Sequence, residues 1–466
     1  MNIIELYELF RQYPSVQTDT RKLKKGDLFF ALRGPSYNAN AFAGAALANG
    51  AAYAVIDDPS YHTHAQTILV DNVLETLQQL ALYHRNQFSI PFIAITGSNG
   101  KTTTKELIHA VLSRRYKTYT TIGNLNNHIG IPLTLLSIKD DADMAVVEMG
   151  ANHRGEIAAY CLFTRPDHGL ITNVGKAHLE GFGGYEGVKK GKGELYDFLR
   201  ATGGTAFVMW DYPYLQEMSA GIKQIYRYGT HDADLVGTAA GAGVMGEKGA
   251  LSGKEGEAGL GRRAGTPAGH AETTTDGENA PDAAPGRETF LTVAVGNMTI
   301  RTRLVGEYNL PNVLAAVAVG KYFGVEDEQI RQALESYTPG NSRSQLLEQG
   351  ENRIVLDAYN ANPTSMRAAI ENFAAIEGEK VLVLGAMAEL GEYSLHEHQE
   401  IIKLIDRYPW KAVALVGGDF LKTESRWEKF ADAEAARSWL QQQGYTNTLI
   451  LVKGSRSMQM ERVIAQ

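Results

Sequence analysis

The sequence predicts an α/β protein of three domains. Short apolar runs typical of buried strands alternate with helix-length segments along most of the 466 residues, and this alternation favours parallel βαβ units. At roughly 100–200 residues per domain, a chain of this length holds about two to four domains. A glycine-containing turn near residue 97 joins a strand to a helix, as in nucleotide-binding sheets.

Composition excludes several classes of protein. Hydrophobic residues make up 44% and charged residues 21%, a balance that supports well-packed cores. The net charge of −8 is spread along the chain and argues against a nucleic-acid partner. A single cysteine, Cys161, rules out an internal disulfide. Without a signal-like N-terminus or an apolar run of ~18 residues, we expect a soluble, cytoplasmic protein with no membrane span.

Residues 1–90 form the first predicted domain, a small α/β unit. Apolar runs at 27–32, 53–56 and 67–70 are typical of strands, and a helical pattern occupies 41–49.

Residues 91–340 form the second predicted domain, with a mostly parallel sheet. Strands are predicted at 92–96, 144–147, 169–174 and 289–295, and a helix at 312–322. Residues 237–288 are rich in Gly, Ala, Glu, Thr and Pro and almost free of aromatic side chains. Such a segment buries too little apolar area to offset its ordering entropy, so we predict a disordered low-complexity insertion.

Residues 341–466 form the third predicted domain, a Rossmann-like α/β unit. Helices are predicted from Ser365 and Leu395. The predicted strands are 354–356, 380–384, 412–416 and 448–452.

The most specific motif is a P-loop between the strand 92–96 and a helix predicted at 105–112. It reads Thr96-Gly97-Ser98-Asn99-Gly100-Lys101-Thr102-Thr103-Thr104. Glycines let the backbone N–H groups turn toward phosphate oxygens, and the helix N-terminus adds positive potential. Lys101 is suited to the terminal phosphates and Thr102 to Mg²⁺. Ile95 stands where the first glycine of the common form lies, so an ordinary strand-to-helix turn is the alternative.

Glu148, His178 and a group of lysines are further candidates. Glu148 ends an apolar strand, and ligands gather at the carboxyl ends of parallel strands, so it is suited to Mg²⁺; a solvated glutamate is the alternative. His178 follows another strand, although a lone histidine is more often structural. Spacing alone does not choose among Lys189, Lys190 and Lys192.

Six segments, in order, resemble the Mur ligases, a family of ATP-dependent peptide ligases. They are residues 96–104, 148–153, 173–184, 306–312, 357–363 and 453–456. The resemblance covers nearly everything outside 237–288. Within the family it is strongest to the branch that adds D-alanyl-D-alanine to a UDP-linked muramoyl tripeptide. It implies a UDP-binding first domain, an ATPase second domain and a ligase third domain.

The resemblance also implies roles around the nucleotide, with ATP and two Mg²⁺ ions as cofactors. The P-loop residues Gly97, Ser98, Asn99, Gly100, Lys101, Thr102 and Thr103 would bind the phosphates. Thr102 and Glu148 would hold one Mg²⁺, and His178 the other. Lys192 falls where the family carries a carbamylated lysine. Asn309 and Asn312 would lie near the adenine, with Arg343 and Asp357 reaching the nucleotide from the third domain.

The implied partners are UDP-N-acetylmuramoyl-tripeptide and D-alanyl-D-alanine, bound by a monomer. Residues matching the UDP-sugar segment are Thr18, Asp19, Thr20 and Arg21, and those facing the peptide are Asn126 and Asn127. Those expected near the dipeptide are Asn360, Asn362, His398, Lys453 and Arg456. Without the resemblance, residues 18–21 would be interpreted as a turn and His398 as a surface residue.

Several alternatives compete with this interpretation. A sister ligase would carry an Asp/Asn-Pro-Arg signature where this chain has Asn362-Pro363-Thr364, and folylpolyglutamate synthetases begin near their P-loop. A GTPase would need an Asn-Lys-x-Asp motif. A kinase or a catalytically impaired homologue stays open. Two positions depart from the family pattern: Tyr308 replaces a histidine and Ala386 an aspartate.

Overall fold

Each of the three predicted domains contributes one main sheet. The computed structural model describes residues 1–240, 290–340 and 343–464. Within these ranges the sheets contain four, nine and six strands, and the predicted α/β class is confirmed. No helix in the described part of the chain is long and apolar enough to cross a membrane.

The N-terminal sheet is parallel and small. Its strands, in spatial order, are Val16–Gln17, Leu28–Phe30, Tyr53–Ile56 and Thr67–Leu69. A two-stranded ribbon pairs Arg33–Gly34 with Tyr37–Asn38. The α-helices of this domain are Ile3–Gln12, Ala43–Ala48 and Val73–Arg85.

The helix Val73–Arg85 docks this domain on the central one. Its buried His84 donates from Nε2 to the carbonyl of Ile138 at 2.8 Å. The Arg85 guanidinium donates from Nε to the carbonyl of Thr164 at 2.9 Å. Thr164 is the last residue of the helix Glu156–Thr164, and Ile138 lies two residues after the helix Gly130–Leu136. The two side chains therefore give partners to backbone acceptors at or just beyond helix C-termini.

The central sheet is parallel except at one edge. Its strands, in spatial order, are Met298–Val305, Phe290–Val295, Leu235–Ala239, Gln224–Gly229, Thr205–Met209, His168–Ile171, Phe92–Thr96, Met144–Glu148 and Thr118–Thr120. Phe92–Thr96 pairs in parallel with the strands on both sides of it. The P-loop, Glu148 and the segment after Ile171 therefore leave the sheet at the same edge.

Helices cover both faces of the central sheet. They are Lys101–Leu112, Gly130–Leu136, Glu156–Thr164, Leu179–Phe182, Tyr185–Thr202, Pro213–Ser219, Leu310–Tyr322 and Asp327–Ser336. Leu310–Tyr322 packs against Lys101–Leu112 and is buried from Asn312 to Gly320. This packing places its N-terminus beside the P-loop.

The start of the predicted insertion at 237–288 needs correction. Residues 237–239 belong to the strand Leu235–Ala239 and pair antiparallel with residues 293–295. A Cβ on Gly237 would lie 2.5 Å from Cδ2 of Leu314, so the glycine permits close helix packing. Composition alone does not reveal this pairing, because the partner strand lies some 50 residues later in the chain. Residues 241–289 lie outside the described residues.

The C-terminal sheet is parallel apart from its first strand. Its order is Gln345–Gln349, Asn352–Asp357, Leu449–Lys453, Lys380–Gly385, Ala412–Val416 and Glu428–Phe430. Its α-helices are Pro363–Ala375, Ser394–Ile405 and Ala433–Gln443. The first begins two residues before the predicted Ser365, because the Asn362 side chain accepts from the Ser365 amide and caps it.

Candidate active site

The P-loop has two positions that only glycine fits. Gly97 has φ +141°, and a Cβ there would lie 2.0 Å from Oγ1 of Thr172. Gly100 has φ +80°, and its Cβ would lie 2.6 Å from Oδ1 of Asn312. The helix starts directly after Gly100, at Lys101, four residues before the predicted start. Its free amides therefore face the loop and form an anion site.

The Lys101 side chain contacts the backbone of the P-loop. Its Nζ donates to the carbonyls of Gly97 at 2.7 Å and Ser98 at 3.3 Å. Burial lowers the pKa of Lys101, while the nearby Glu148 carboxylate opposes this shift. A phosphate bound to the loop would offer the ammonium a charged partner in place of these carbonyls.

Glu148 is buried beside the P-loop with unused ligand capacity. Its Oε1 accepts from Thr102 Oγ1 at 3.1 Å and from Asn126 Nδ2 at 2.7 Å. Its Oε2 is buried and has no hydrogen-bond partner among the described residues. An orphaned buried carboxylate oxygen next to a threonine hydroxyl fits a hard divalent cation.

The described residues hold no cluster of three or more His, Cys, Asp or Glu side chains that could bind a metal. A cation beside Glu148 would therefore take most of its ligands from phosphate and water. That ligand set is typical of Mg²⁺.

His178 and Lys192 are the other two residues predicted to serve a metal. His178 lines the cavity, and its Nδ1 is 2.5 Å from Oε2 of Glu389 in the C-terminal domain. Lys192 is buried, and its Nζ donates to the carbonyl of Ala151 at 3.0 Å. Burial, with Lys101 adding to it, lowers the pKa of Lys192 well below its usual range. The amine is therefore more readily neutral than an exposed lysine.

Arg343 faces the P-loop from the C-terminal domain. Its guanidinium carbon lies 3.5 Å from the centre of the Tyr359 ring, and its Nε is buried with no partner in the described part of the chain. Arg343 is close enough to Lys101 to lower the pKa of that lysine further. Two cations that line one cavity from different domains favour an anion there.

A polar network joins the two domains next to Arg343. Lys453 Nζ donates to Oδ2 of Asp357 at 2.5 Å, and the Tyr308 hydroxyl lies 2.8 Å from Oγ of Ser344. Burial and the Asp357 charge raise the pKa of Tyr308, so the phenol stays protonated. The tyrosine that replaces the family histidine thus contacts the start of the C-terminal domain.

These groups surround a cavity of about 660 Å³ between the central and C-terminal domains. The predicted site residues that line it are Ser98, Asn99, Gly100, Lys101, Thr102, Thr103, Asn126, Asn127, Glu148, His178, Asn309, Asn312, Arg343, Asp357, Asn360, Asn362 and Lys453. Those outside its lining are Gly97, Thr18, Asp19, Thr20, Arg21, Lys192, His398 and Arg456.

The predicted adenine residues already share hydrogen bonds. Thr104 Oγ1 donates to Asn312 Oδ1 at 3.0 Å, and Asn312 Nδ2 donates to Asn309 Oδ1 at 3.0 Å. Asn309 Nδ2 in turn donates to the carbonyl of Val305 at 2.9 Å. This chain fixes both amides relative to the P-loop helix.

The predicted UDP-sugar residues lie in the N-terminal domain, away from this cavity. Arg21 donates from Nε and Nη2 to the two carboxylate oxygens of Asp19, both at 2.9 Å. These bonds lower the pKa of Asp19 to about 2. Their role in holding a UDP-sugar stays a prediction.

His398, predicted near the dipeptide, lies inside the C-terminal domain and outside the cavity lining. The residue lies in the helix Ser394–Ile405 and is fully buried. Its Nε2 accepts from the Met387 amide at 3.0 Å, and its Nδ1 donates to the carbonyl of Ser394 at 2.7 Å. With both ring nitrogens engaged, His398 fixes the loop after the strand Lys380–Gly385. Arg456 is also outside the cavity lining and pairs with Glu461 at 2.8 Å.

Sequence reasoning missed part of the cavity wall. The additional lining residues are Gly150, Ala151, Asn152, Glu156, Tyr160, His128, Asn173, Val174, Tyr212, Tyr214, Tyr308, Ser344, Tyr359, Thr364, Ser365 and Ala368. Asn173 could have been found from the sequence, because it follows a strand. In the structure its Oδ1 accepts a hydrogen bond from the Asn99 amide at 3.0 Å. The stacked rings of Tyr212 and Tyr214 follow no motif and left no signal.

Comparison with known proteins agrees with this geometry. The family models "Mur ligase middle domain" and "Mur ligase, glutamate ligase domain" match residues 95–320 and 342–456. The UDP-N-acetylmuramoyl-tripeptide–D-alanyl-D-alanine ligase of Escherichia coli is 35% identical over 97% of this chain and 92% of its own. The chain belongs to the Mur ligase family. The Bacillus subtilis ligase of the same name is 31% identical to this Mur ligase, over 96% and 92% of the two chains.

Solved structures extend the likeness of this Mur ligase to the whole fold. MurF from Acinetobacter baumannii aligns with a TM-score of 0.78 and 30% identity, covering 97% of this chain and 92% of that one. MurF ligase from Thermotoga maritima in complex with ADP aligns with a TM-score of 0.79 and 25% identity, covering 97% and 96%. The predicted Mur ligase fold is confirmed, and the chain is an ATP-dependent peptide ligase by family.

Proposed function

We propose that this Mur ligase joins D-alanyl-D-alanine to the terminal carboxylate of UDP-N-acetylmuramoyl-tripeptide, converting ATP to ADP and phosphate. The main support is the convergence of Lys101, Glu148 and Arg343 on one cavity from two domains. A carboxylate is a poor acyl donor, so it must first be activated, and phosphoryl transfer needs concentrated positive charge. The Escherichia coli and Bacillus subtilis relatives carry this activity in their names.

Two Mg²⁺ ions complete the proposed site. Thr102 and Glu148 would hold one ion, in keeping with the unpartnered Oε2, and His178 the other. Bound Mg²⁺ would neutralise phosphate charge. The buried, readily neutral Lys192 is suited to react with CO₂, forming an N–C bond and releasing one proton to give a carbamate. That anion would add a further acidic ligand to the site.

The residues then act mainly by positioning and by charge. A tripeptide carboxylate oxygen attacks the γ-phosphorus, and the bond to the β–γ bridging oxygen breaks, releasing ADP. The dipeptide amine next attacks the acyl carbon and loses a proton, and phosphate leaves with the former carboxylate oxygen. Lys101 and Arg343 stabilise the transferring group from opposite domains. Contact between the domains excludes water from the acyl phosphate.

A sister ligase specific for an acidic or basic amino acid fits the structure less well. Thr364 occupies the position of the arginine in that signature, and its hydroxyl accepts from the Lys176 amide at 3.0 Å. The side chain therefore holds the two domains together and offers no cation to a substrate carboxylate.

Phosphate release with single and paired acceptors tests the proposal. ATP and Mg²⁺ are supplied with UDP-muramoyl-tripeptide, with D-alanyl-D-alanine, and with both. We expect release only with both, together with a UDP-muramoyl-pentapeptide detected by mass. Release with D-glutamate, diaminopimelate or a folate in place of the dipeptide would assign the chain to a sister enzyme. The Lys101→Ala variant controls for contaminating ATPases.

A further inference from the structure

Two strained residues meet across the boundary between the central and C-terminal domains. His178 has φ +52° and Glu389 has φ +63°, a left-handed conformation that L-residues rarely adopt. Their side chains lie 2.5 Å apart, from Nδ1 to Oε2. Strain at both ends of one contact sets this pair apart from an incidental surface ion pair.

The C-terminal domain fixes the loop that carries Glu389. The Ala386 amide donates to the carbonyl of Val416 at 2.9 Å, and Ser455 Oγ donates to the Ala386 carbonyl at 2.6 Å. The Met387 amide is held by His398 at 3.0 Å. The backbone of the loop is therefore anchored to the C-terminal domain three and two residues before Glu389.

The contact also selects one ring nitrogen of His178. A carboxylate 2.5 Å from Nδ1 favours the tautomer with a proton on that nitrogen, because the negative charge attracts the positive end of the N–H dipole. Nε2 is then the nitrogen with a free lone pair, and the residue lines the cavity. Carboxylate partners of this kind orient metal-binding histidines and raise their basicity.

We propose that Glu389 is a positioning residue that orients His178 to bind a divalent cation through Nε2. The inference rests on the proposed function only in assigning a metal to His178. Since Glu389 belongs to the C-terminal domain, this orientation exists only while the two domains are in contact. Hydrogen bonds between the domains, such as the one from Asn362 Nδ2 to Asn99 Oδ1 at 2.7 Å, keep the two domains in contact.

Mn²⁺ binding to the full-length protein tests the inference without turnover. Mn²⁺ is titrated in the presence of a non-hydrolysable ATP analogue and counted by electron paramagnetic resonance. We expect two ions in the wild type. The Glu389→Ala variant should bind one of the two ions about 10–100-fold more weakly, the usual effect of losing such a partner. The His178→Ala variant should bind the same ion more weakly.

Two further variants separate positioning from other roles. Glu389→Gln should bind Mn²⁺ close to the wild type, because the amide oxygen still accepts from Nδ1–H. Glu392 is an exposed glutamate three residues after Glu389. The control variant Glu392→Ala should bind Mn²⁺ as the wild type does. Thermal melts of all variants confirm that they fold.

Three results would overturn the inference. Unchanged binding of both ions to Glu389→Ala would remove the role of the residue. A Glu389→Gln variant as weak as Glu389→Ala would make the charge, and not the orientation, the important property. A wild type that binds one ion would leave no metal at His178. Since none of these measurements uses a peptide substrate, they stand apart from the ligation assay.

Discussion

At the scale of single residues, Lys101 and Lys192 show two different limits of sequence reasoning. The role proposed for Lys101 follows from its motif, since backbone and ammonium would act together on phosphate. Lys192 could not be separated from Lys189 and Lys190 by spacing. The apolar positions Val188 and Leu195 of the same helix mark its buried face, and Lys192 lies on that face. The helical period of the segment was therefore the signal that could have found it.

Replacing Lys101 with alanine should abolish ligation while leaving the fold intact. The substitution removes the ammonium that neutralises the transferring phosphoryl group, for which a loss of ~10³-fold or more in kcat is expected. Phosphate release measures the loss, and thermal melting checks the fold. Lys117→Ala, an exposed lysine, is the matched control. A Lys101→Ala enzyme with near-normal turnover would refute the P-loop assignment.

Activity should depend on dissolved CO₂ if Lys192 is carbamylated. Enzyme prepared and assayed in CO₂-depleted buffer should lose most of its turnover and recover it on addition of bicarbonate. Lys192→Gln, which cannot form a carbamate, should be inactive and insensitive to bicarbonate. Equal rates with and without CO₂ in the wild type would show that the unmodified amine is sufficient.

At the scale of elements, strands were predicted better than helix starts. The strands Phe92–Thr96 and Tyr53–Ile56 match their apolar runs residue for residue, because burial on both faces leaves an unbroken hydrophobic signal. The helix Lys101–Leu112 begins four residues before its predicted start. Its first turn is a lysine followed by three threonines. The weak helix propensity of threonine hides this turn, which follows the left-handed Gly100.

Replacing Gly100 with alanine should damage nucleotide binding more than stability. The added Cβ meets a positive φ and lies 2.6 Å from Asn312 Oδ1, so the P-loop or the asparagine chain must shift. We expect the KM for ATP to rise by about tenfold, equivalent to about 1.4 kcal/mol. Gly155 also has a positive φ, +85°, but nothing lies within 4 Å of its Cβ. Gly155→Ala should therefore lose similar stability and keep its KM; equal effects on KM would contradict the steric role of Gly100.

At the scale of the whole molecule, the contacts between domains could not be predicted. Lys176 Nζ donates to Glu397 Oε1 at 2.5 Å across the boundary, yet these residues lie 221 positions apart in the chain. No local pattern relates them. The family resemblance supplied the order of the domains, whereas the position of His398 inside the C-terminal core depends on packing that a motif does not record.

Stability should fall as the pH drops below about 6.5. Burial lowers the pKa of His84, His168 and His398 from 6.5, so in this range the unfolded state binds protons that the folded state does not. Their stabilisation is complete above the unfolded pKa and is lost as the pH falls toward the folded one. Each histidine contributes at most about 1.4 kcal/mol per pH unit.

Thermal melts at pH 7.5 and 5.5 check this dependence, with a lower Tm expected at the acidic value. His168 packs among Phe207, Tyr322 and Phe323, so His168→Phe should fold and show a shallower decline. A Tm that rises on acidification, or a decline unchanged in the variant, would count against the buried histidines.

Oxygen transfer is the most direct test of the central claim, that ATP activates the tripeptide carboxylate as an acyl phosphate. The tripeptide is labelled with ¹⁸O in its terminal carboxylate and incubated with ATP, Mg²⁺ and D-alanyl-D-alanine, and the released phosphate is analysed by mass. Because the carboxylate oxygen leaves with the phosphoryl group, we predict one ¹⁸O in each phosphate formed with the pentapeptide. Phosphate without ¹⁸O would contradict the acyl-phosphate route and, with it, the role of the interdomain cavity in phosphoryl transfer.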